Sequence, residues 1–341
     1  MSIPPLWTRR RLVQAGLAVP FALPARAHAA QPVPGVQRLD PALDSVVDRR
    51  APVEILGEGY RWAEGPVWVR RRDWLLFSDV PANTIWRWRQ KQGLEIFMRP
   101  SGLAGPVPDA FNEAGANGLA IDPMGRLVMA DSGNRAIARV DLDSRRKTIL
   151  VDRFETRRFN SPNTVAVSKS GAIFFTDPPY GLKDPDTSPL RELEFQGVFR
   201  LDPDGAVHLL DRSHRRPNGL ALSPDERTLY LALSDETRPE ILAYPLDGRG
   251  DVGTSRLFCD MRADQAAGGK GLPDGMVVDS AGRLFATGPG GVHVLTPAGK
   301  RLGLISTGKA IANCCFGGAD GKTLFLTSHD VLARIRMRTA G

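Results

Sequence analysis

Asp122-Pro123-Met124-Gly125-Arg126-Leu127-Val128-Met129-Ala130-Asp131, leading after a polar break to Ala136-Ile137-Ala138-Arg139-Val140, is the phrase that decides the fold. It reads as a turn, an apolar strand, a break and a second strand. The same phrase recurs around Trp74-Leu75-Leu76-Phe77, Ala172-Ile173-Phe174-Phe175, Thr228-Leu229-Tyr230-Leu231, Arg283-Leu284-Phe285-Ala286 and Thr323-Leu324-Phe325-Leu326. Anchored on Leu75, Leu127, Ile173, Leu229, Leu284 and Leu324, the copies are spaced by 52, 46, 56, 55 and 40 residues. A unit of that size cannot bury its own apolar face, and radial stacking of short sheets solves the problem while protecting their edges. The chain is therefore read as all-β, a six-bladed propeller. The segment 52–56 is a candidate strand for closing the last blade. A sandwich or two separate domains would not give six evenly spaced copies.

Composition agrees. Glycine and proline number 35 and 27 among 341 residues, above the average of roughly 12%, as many tight turns require. The net charge of +7 invites a nucleic-acid reading, but much of it sits at the start. Thr8-Arg9-Arg10-Arg11 precedes a short apolar stretch and Pro24-Ala25-Arg26-Ala27-His28-Ala29. That order is an export signal, and paired arginines before a weakly apolar stretch point to the twin-arginine machinery, hence to a periplasmic or secreted protein. The apolar stretch is too short and broken to span a bilayer, so no stable membrane insertion is expected. Cleavage after Ala29 takes 29 residues from 341 and leaves 312. It also removes Arg9, Arg10, Arg11 and Arg26 and no acid, so +7 falls to +3. The remaining basic clusters, Arg70-Arg71-Arg72 and Arg145-Arg146-Lys147, are short turn-like runs without interleaved aromatics, and no nucleic-acid partner is expected. The expected organisation is a signal at 1–29, an N-terminal extension at 30–50 and the propeller domain at 51–341.

The chemistry lies where the copies begin. Ala63-Glu64-Gly65-Pro66, Ala116-Asn117-Gly118, Ser161-Pro162-Asn163, Pro217-Asn218-Gly219 and Pro273-Asp274-Gly275 each place one carboxylate or amide ahead of an apolar strand. Radial symmetry would aim these oxygens at one axial point, a set suited to a hard divalent cation. Taken singly, each phrase is equally an ordinary Asx turn. Cys259, Cys314 and Cys315 form no disulfide framework, and the adjacent pair reads as two small buried apolar residues in preference to a vicinal disulfide. The scattered histidines suggest no imidazole metal site, and no Gly-x-Ser-x-Gly elbow or serine triad is present.

These phrases, with Phe174-Phe175-Thr176-Asp177-Pro178-Pro179-Tyr180-Gly181 and Ala312-Asn313-Cys314-Cys315-Phe316-Gly317-Gly318, resemble the gluconolactonase family of six-bladed propellers that includes senescence marker protein (regucalcin, SMP-30). The resemblance implies a metal-dependent lactonase opening a small-molecule lactone. It implies one divalent cation, Ca²⁺ first, with Mg²⁺, Mn²⁺ or Zn²⁺ as alternatives. Glu64, Asn218 and Asp274 match the family's metal ligands, Asn163 matches a residue shared between metal and substrate, and Asp274 is the expected catalytic base. Asn117, Tyr180 and Arg135 complete the expected substrate-binding set. Tyr180 lines the pocket or caps a rigid turn, and Arg135 meets an acidic lactone or pairs with Asp131. Two residues depart from the family pattern: Thr164 stands where a carboxylate is usual, and Ser132 where many relatives carry histidine. The segment 101–115 is either a lid or an exposed loop. Trp62, Trp68, Trp86 and Trp88 are read as blade packing. A non-catalytic binding propeller, or a hydrolase or lyase of another substrate class, are the competing functions.

Overall fold

The computed structural model describes residues 34–341; the expected export signal lies outside them. Six antiparallel sheets carry the repeats, each with its first strand innermost. Blade one runs Ala63–Val69, Trp74–Asp79, Thr84–Arg89 and Gly93–Met98, and blade two Ala116–Ile121, Leu127–Asp131, Ala136–Val140 and Lys147–Val151. Blade three runs Val165–Val167, Ile173–Asp177, Gly197–Leu201 and Val207–Asp211, and blade four Pro217–Leu222, Thr228–Asp235, Arg238–Pro245 and Arg256–Asp260. Blade five comprises Met276–Val278, Leu284–Gly288, Gly291–Leu295 and Arg301–Ser306. Blade six takes Asn313–Gly317, Thr323–Ser328 and Val331–Arg336 from the end of the chain, and its outer strand, Glu54–Glu58, from the start. The closing strand thus falls where residues 52–56 suggested it, and it ties the two ends of the ring together.

The core is six apolar clusters, one at each joint between neighbouring blades. Leu127 and Met129 face blade one beside Leu76, Ile85 and Phe97, while Val128 and Ala130 face blade three beside Phe159, Val165 and Phe175. Both faces of each second strand are therefore buried, which explains why these strands read as continuous apolar runs. Period-2 polarity appears only where one face meets water. Cys314 and Cys315 obey the same geometry. As consecutive strand residues they point to opposite faces, Cys314 into the joint of blades five and six and Cys315 into that of six and one. Both are free thiols.

Three tryptophans pack as expected. Trp68 stacks on Phe325 at 5.5 Å and 12°, Trp88 meets the same ring edge-on, and Trp86 meets Tyr60. Trp62 does not: it lines the pocket at the mouth of the ring.

The N-terminal extension joins the sheet system. Gly35–Arg38 pairs along Arg301–Ser306 as a fifth strand of blade five. Leu43, Val46 and Val47, on and just after a short 3-10 turn, are buried with Leu302, Leu324 and Met337.

Candidate functional site

Each blade brings one polar side chain to the top of its innermost strand: Glu64, Asn117, Asn163, Asn218, Asp274 and Asn313. In three blades the ladder slips at that place, between Glu64 and Val67, Ala116 and Leu119, and Pro217 and Leu220. Such bulges re-aim a side chain that would otherwise lie along the sheet face. Four of the six, Glu64, Asn117, Asn218 and Asp274, are followed by a glycine that serves contact between blades, rather than a hairpin turn. A Cβ on Gly65 would stand 2.2 Å from the Asn117 carbonyl, and one on Gly219 would stand 2.0 Å from that of Asp274. Gly118 against the Asn163 carbonyl repeats the arrangement, and Gly275 packs against the Asn313 side chain. The Asx-turn reading of these dipeptides is thereby replaced by a packing reason.

Hydroxyls lock the joints. Ser78 donates to the Asn117 carbonyl (2.7 Å), Ser132 to Pro162 (2.7 Å), Thr176 to Asn218 (2.8 Å), Ser234 to Pro273 (2.5 Å) and Thr287 to Ala312 (3.1 Å). Five of the six joints thus have a buried side chain holding the backbone beside the next donor. Ser132 belongs to this set: it is fully buried and stands outside the pocket wall.

The donors open onto a cavity of about 480 Å³, within the range of small-molecule sites, roughly 300–1,000 Å³. Glu64, Asn117, Asn163, Tyr180, Asn218 and Asp274 all line it, joined by Glu113, Ser234, Trp62, Glu236 and Gln265. Of the expected site residues, only Arg135 stays away. Its Nε donates to the carbonyls of Phe159 (2.6 Å) and Asn160 (3.1 Å), with Glu192 3.6 Å from its guanidinium, so it braces the entry to blade three. It does not pair with Asp131, which is held by Lys147 at 2.7 Å and by Asn134. Thr164 faces away too: it lines a smaller apolar cavity of the inner strands, and its hydroxyl donates to Asn163 Oδ1 at 3.1 Å.

The polar bookkeeping inside the pocket is incomplete. Asn218 donates its amide to Ser234 Oγ (2.9 Å), leaving Oδ1 shielded and unpartnered. Asp274 Oδ1, Asn117 Oδ1 and Glu113 Oε2 are likewise shielded from solvent with no partner. Buried oxygens in this state are costly unless a ligand satisfies them. Glu64 is better held, by the Gly65 amide (2.6 Å) and by Asn313 Nδ2 (3.1 Å).

Burial raises the carboxyls of Glu64 and Glu113 to about 7, with Glu64 adding to the effect at Glu113. Asp274 is raised well above the carboxylate range, by burial first and then by Glu64 and Glu113. No Lys, Arg or His side chain among the described residues lines the pocket. Among the described residues, no three His, Cys, Asp or Glu side chains form one metal-holding cluster. A hard cation here would have to be shared between carboxylates and amide oxygens, and Glu64, Asn218 and Asp274 supply such a mixed set. Burial also raises the Tyr180 hydroxyl, and the Arg216 guanidinium lies 5.3 Å from the centre of its ring.

Glu113, Ser234 and Asn313 were not singled out from the sequence as site residues. Ser234 and Asn313 reach their roles only through neighbouring blades, and Glu113 sits on an aperiodic segment.

Residues 62–330 match the model of the SMP-30/Gluconolactonase/LRE-like region. The chain is 45% identical over 310 residues to a gluconolactonase of Zymomonas mobilis subsp. mobilis, covering 90% of this chain and 87% of the relative. It is 28% identical to regucalcin of Danio rerio, over 80% of this chain and 85% of that one. A solved gluconolactonase structure from Xanthomonas campestris superposes with a TM-score of 0.77 at 33% identity, covering 89% of this chain and 96% of that one.

Proposed function

The chain belongs to the SMP-30/gluconolactonase/LRE-like family, and from that premise we propose that it hydrolyses a sugar lactone with one divalent cation in the pocket. The observation that carries the reading is the convergence of unpartnered Asn218 and Asp274 oxygens with the buried Glu64 carboxylate. Glu64, Asn218 and Asp274 hold the cation, and Asn163 stands beside them toward the substrate. All four donors are hard oxygens, which suits Ca²⁺ first and Mg²⁺ or Mn²⁺ next. When bound, the cation supplies Lewis-acid polarisation of the ester carbonyl and counter-charge for the oxyanion.

The chain's own groups do the rest. Asp274 takes a proton from the attacking water as its oxygen adds to the carbonyl carbon, and returns that proton to the ring oxygen as the ring C–O bond breaks, leaving a hydroxy acid. Asn163 and Asn117 orient the ring, and Tyr180 closes one side of the pocket. Ser234 acts through Asn218, fixing its amide so that Oδ1 faces inward. Ser234→Ala is expected to weaken cation affinity by about 10- to 100-fold, read by calorimetric titration, with the far-ultraviolet spectrum unchanged.

The reading is tested by stripping the protein with chelator, restoring Ca²⁺, Mg²⁺, Mn²⁺ or Zn²⁺, and following acid release from a lactone panel. Cation-restored turnover that is lost in Glu64→Ala supports it. A cation that raises the melting temperature with no turnover on any lactone would replace it with a binding propeller. Export through the twin-arginine route is a separate proposal from Arg9, Arg10 and residues 24–29. A mature N-terminus at Ala30 in the periplasmic or secreted fraction supports it; an uncleaved chain retained in the cytoplasm overturns it.

A further inference from the structure

Residues 101–115, between blades one and two, are not a free flap. Their exposed part is residues 104–109, with Asn112 exposed beyond them, while both ends are bolted to the ring. Asn83 Oδ1 accepts from the amides of Ser101 (2.9 Å) and Gly102 (2.7 Å), and Asn83 Nδ2 donates to the Leu103 carbonyl (2.8 Å). Lys147 Nζ donates to the carbonyls of Ser101 and Gly102 while paired with the fully buried Asp131. At the other end Asn112 and Glu113 give their amides to the Gly181 carbonyl (2.9 and 3.3 Å), and Lys183 gives its amide to Ala110. The fit is close: a Cβ at Gly102 or Gly133 would stand 2.0 Å from the Ala114 carbonyl. This clamping spans blades one, two and three, and its outcome is to hold Glu113 in the pocket wall beside Asn117.

Glu113 Oε2 and Asn117 Oδ1 both line the pocket, are shielded from solvent and have no partner. Glu113 forms no three-acid cluster with Glu64 and Asp274 around one ion. The Asn117 amide group serves one side of the Glu113 carboxyl, and the atoms left without donors are Glu113 Oε2 and Asn117 Oδ1. A carboxylate next to an amide oxygen is an acceptor pair, and vicinal hydroxyls are its natural complement.

We propose that Glu113 is a specificity-determining residue: with Asn117 it accepts the hydroxyl hydrogens of a polyhydroxylated lactone ring, and so selects sugar lactones over unsubstituted ones. The inference rests on the lactonase reading and deepens it. Donors arriving from the substrate stabilise the charged carboxylate that burial alone disfavours. A bare ring leaves both oxygens buried and unpaired, which is the way a polar pocket rejects an analogue lacking its hydroxyl groups.

The test compares Glu113→Gln and Glu113→Asp with the wild type in the cation-loaded protein. The substrates are glucono-δ-lactone and δ-valerolactone, the same ring without hydroxyls. Glu113→Gln is expected to lower the ratio of kcat/KM on the hydroxylated lactone to kcat/KM on the bare one by about 10- to 100-fold, mainly through KM; whatever it changes through Asp274 falls on both rings alike and cancels in that ratio. Glu113→Asp, which keeps the carboxylate where Gln puts a donor NH2 in place of one acceptor oxygen, restores part of the loss. If the bare ring turns over too slowly to follow, its competitive inhibition constant gives the same comparison.

Equal losses on both rings would overturn the inference by placing Glu113 at the reacting bond or in the fold. A fall in cation affinity by calorimetry would overturn it by making Glu113 a ligand, as would an unchanged kcat/KM. If the wild type turns over neither lactone, the lactonase reading itself falls. If the wild type is active and the variants lose no discrimination, only this inference does.

Discussion

Asp274→Asn is expected to lower kcat for lactone opening by about 10²- to 10⁴-fold, with a smaller change in KM. The substitution keeps the shape of the side chain and one oxygen for the cation, but an amide cannot take a proton from water. Asp274 is suited to that task because it lines the pocket two residues ahead of the innermost strand of blade five, with Oδ1 unpartnered. Its surroundings also push it toward holding a proton, through burial and through Glu64 and Glu113. A bound cation offsets that push, so the working base is a carboxylate whose basicity is set by three neighbouring charges. The measurement is stopped-flow or pH-stat turnover at saturating cation, corrected for spontaneous hydrolysis, with cation affinity measured separately. Turnover close to wild type in a cation-loaded Asp274→Asn protein would remove Asp274 from the role of base and leave it a ligand.

How the site was found bears on what sequence can reveal. Leu127, Val128, Met129 and Ala130 announce a strand buried on both faces, and repetition of that phrase is enough to count the blades. Glu64, Asn163, Asn218 and Asp274 are legible for the same reason, since each stands where an innermost strand begins, second within it (Glu64, Asn218) or two residues ahead of it (Asn163, Asp274). What radial order does not fix is what a side chain meets outside its own blade. Arg135 has the charge for a lactone carboxylate, yet the carbonyls of Phe159 and Asn160 claim it. The five joint hydroxyls look like ordinary strand serines and threonines until the next blade is in place. Glu113 lies in a stretch with no periodicity, and contacts of that stretch to Gly181 and Gly133, distant in sequence, carry it into the pocket. Gly35–Arg38 is a four-residue strand whose partner lies at Arg301–Ser306. Nothing within so short a segment marks it as a sheet edge.

The cation-free protein is expected to lose stability as pH rises, and the cation to stabilise it more at pH 8 than at pH 5. Glu64 has a folded value of about 7 against an ordinary 4.5, and Glu113 and Asp274 shift in the same direction. In that window the folded chain holds protons that the unfolded chain has released. Stability is therefore complete below the ordinary carboxylate value and is lost progressively as pH climbs to about 7. A cation competes with those protons for the same oxygens, so its binding strengthens as they leave. At a free concentration about a hundred times its dissociation constant it adds about 2.7 kcal/mol, which thermal melts resolve as a rise of several degrees. Glu64→Gln separates charge from shape. With one fewer buried carboxylate, the chelated variant melts above the chelated wild type at pH 8 and gains less from added cation. A chelated wild type whose melting temperature is flat across this window, or a cation shift equal at pH 5 and pH 8, would show that the carboxylates do not share an ion. The charge deficit of the pocket would then have to be met by the substrate itself.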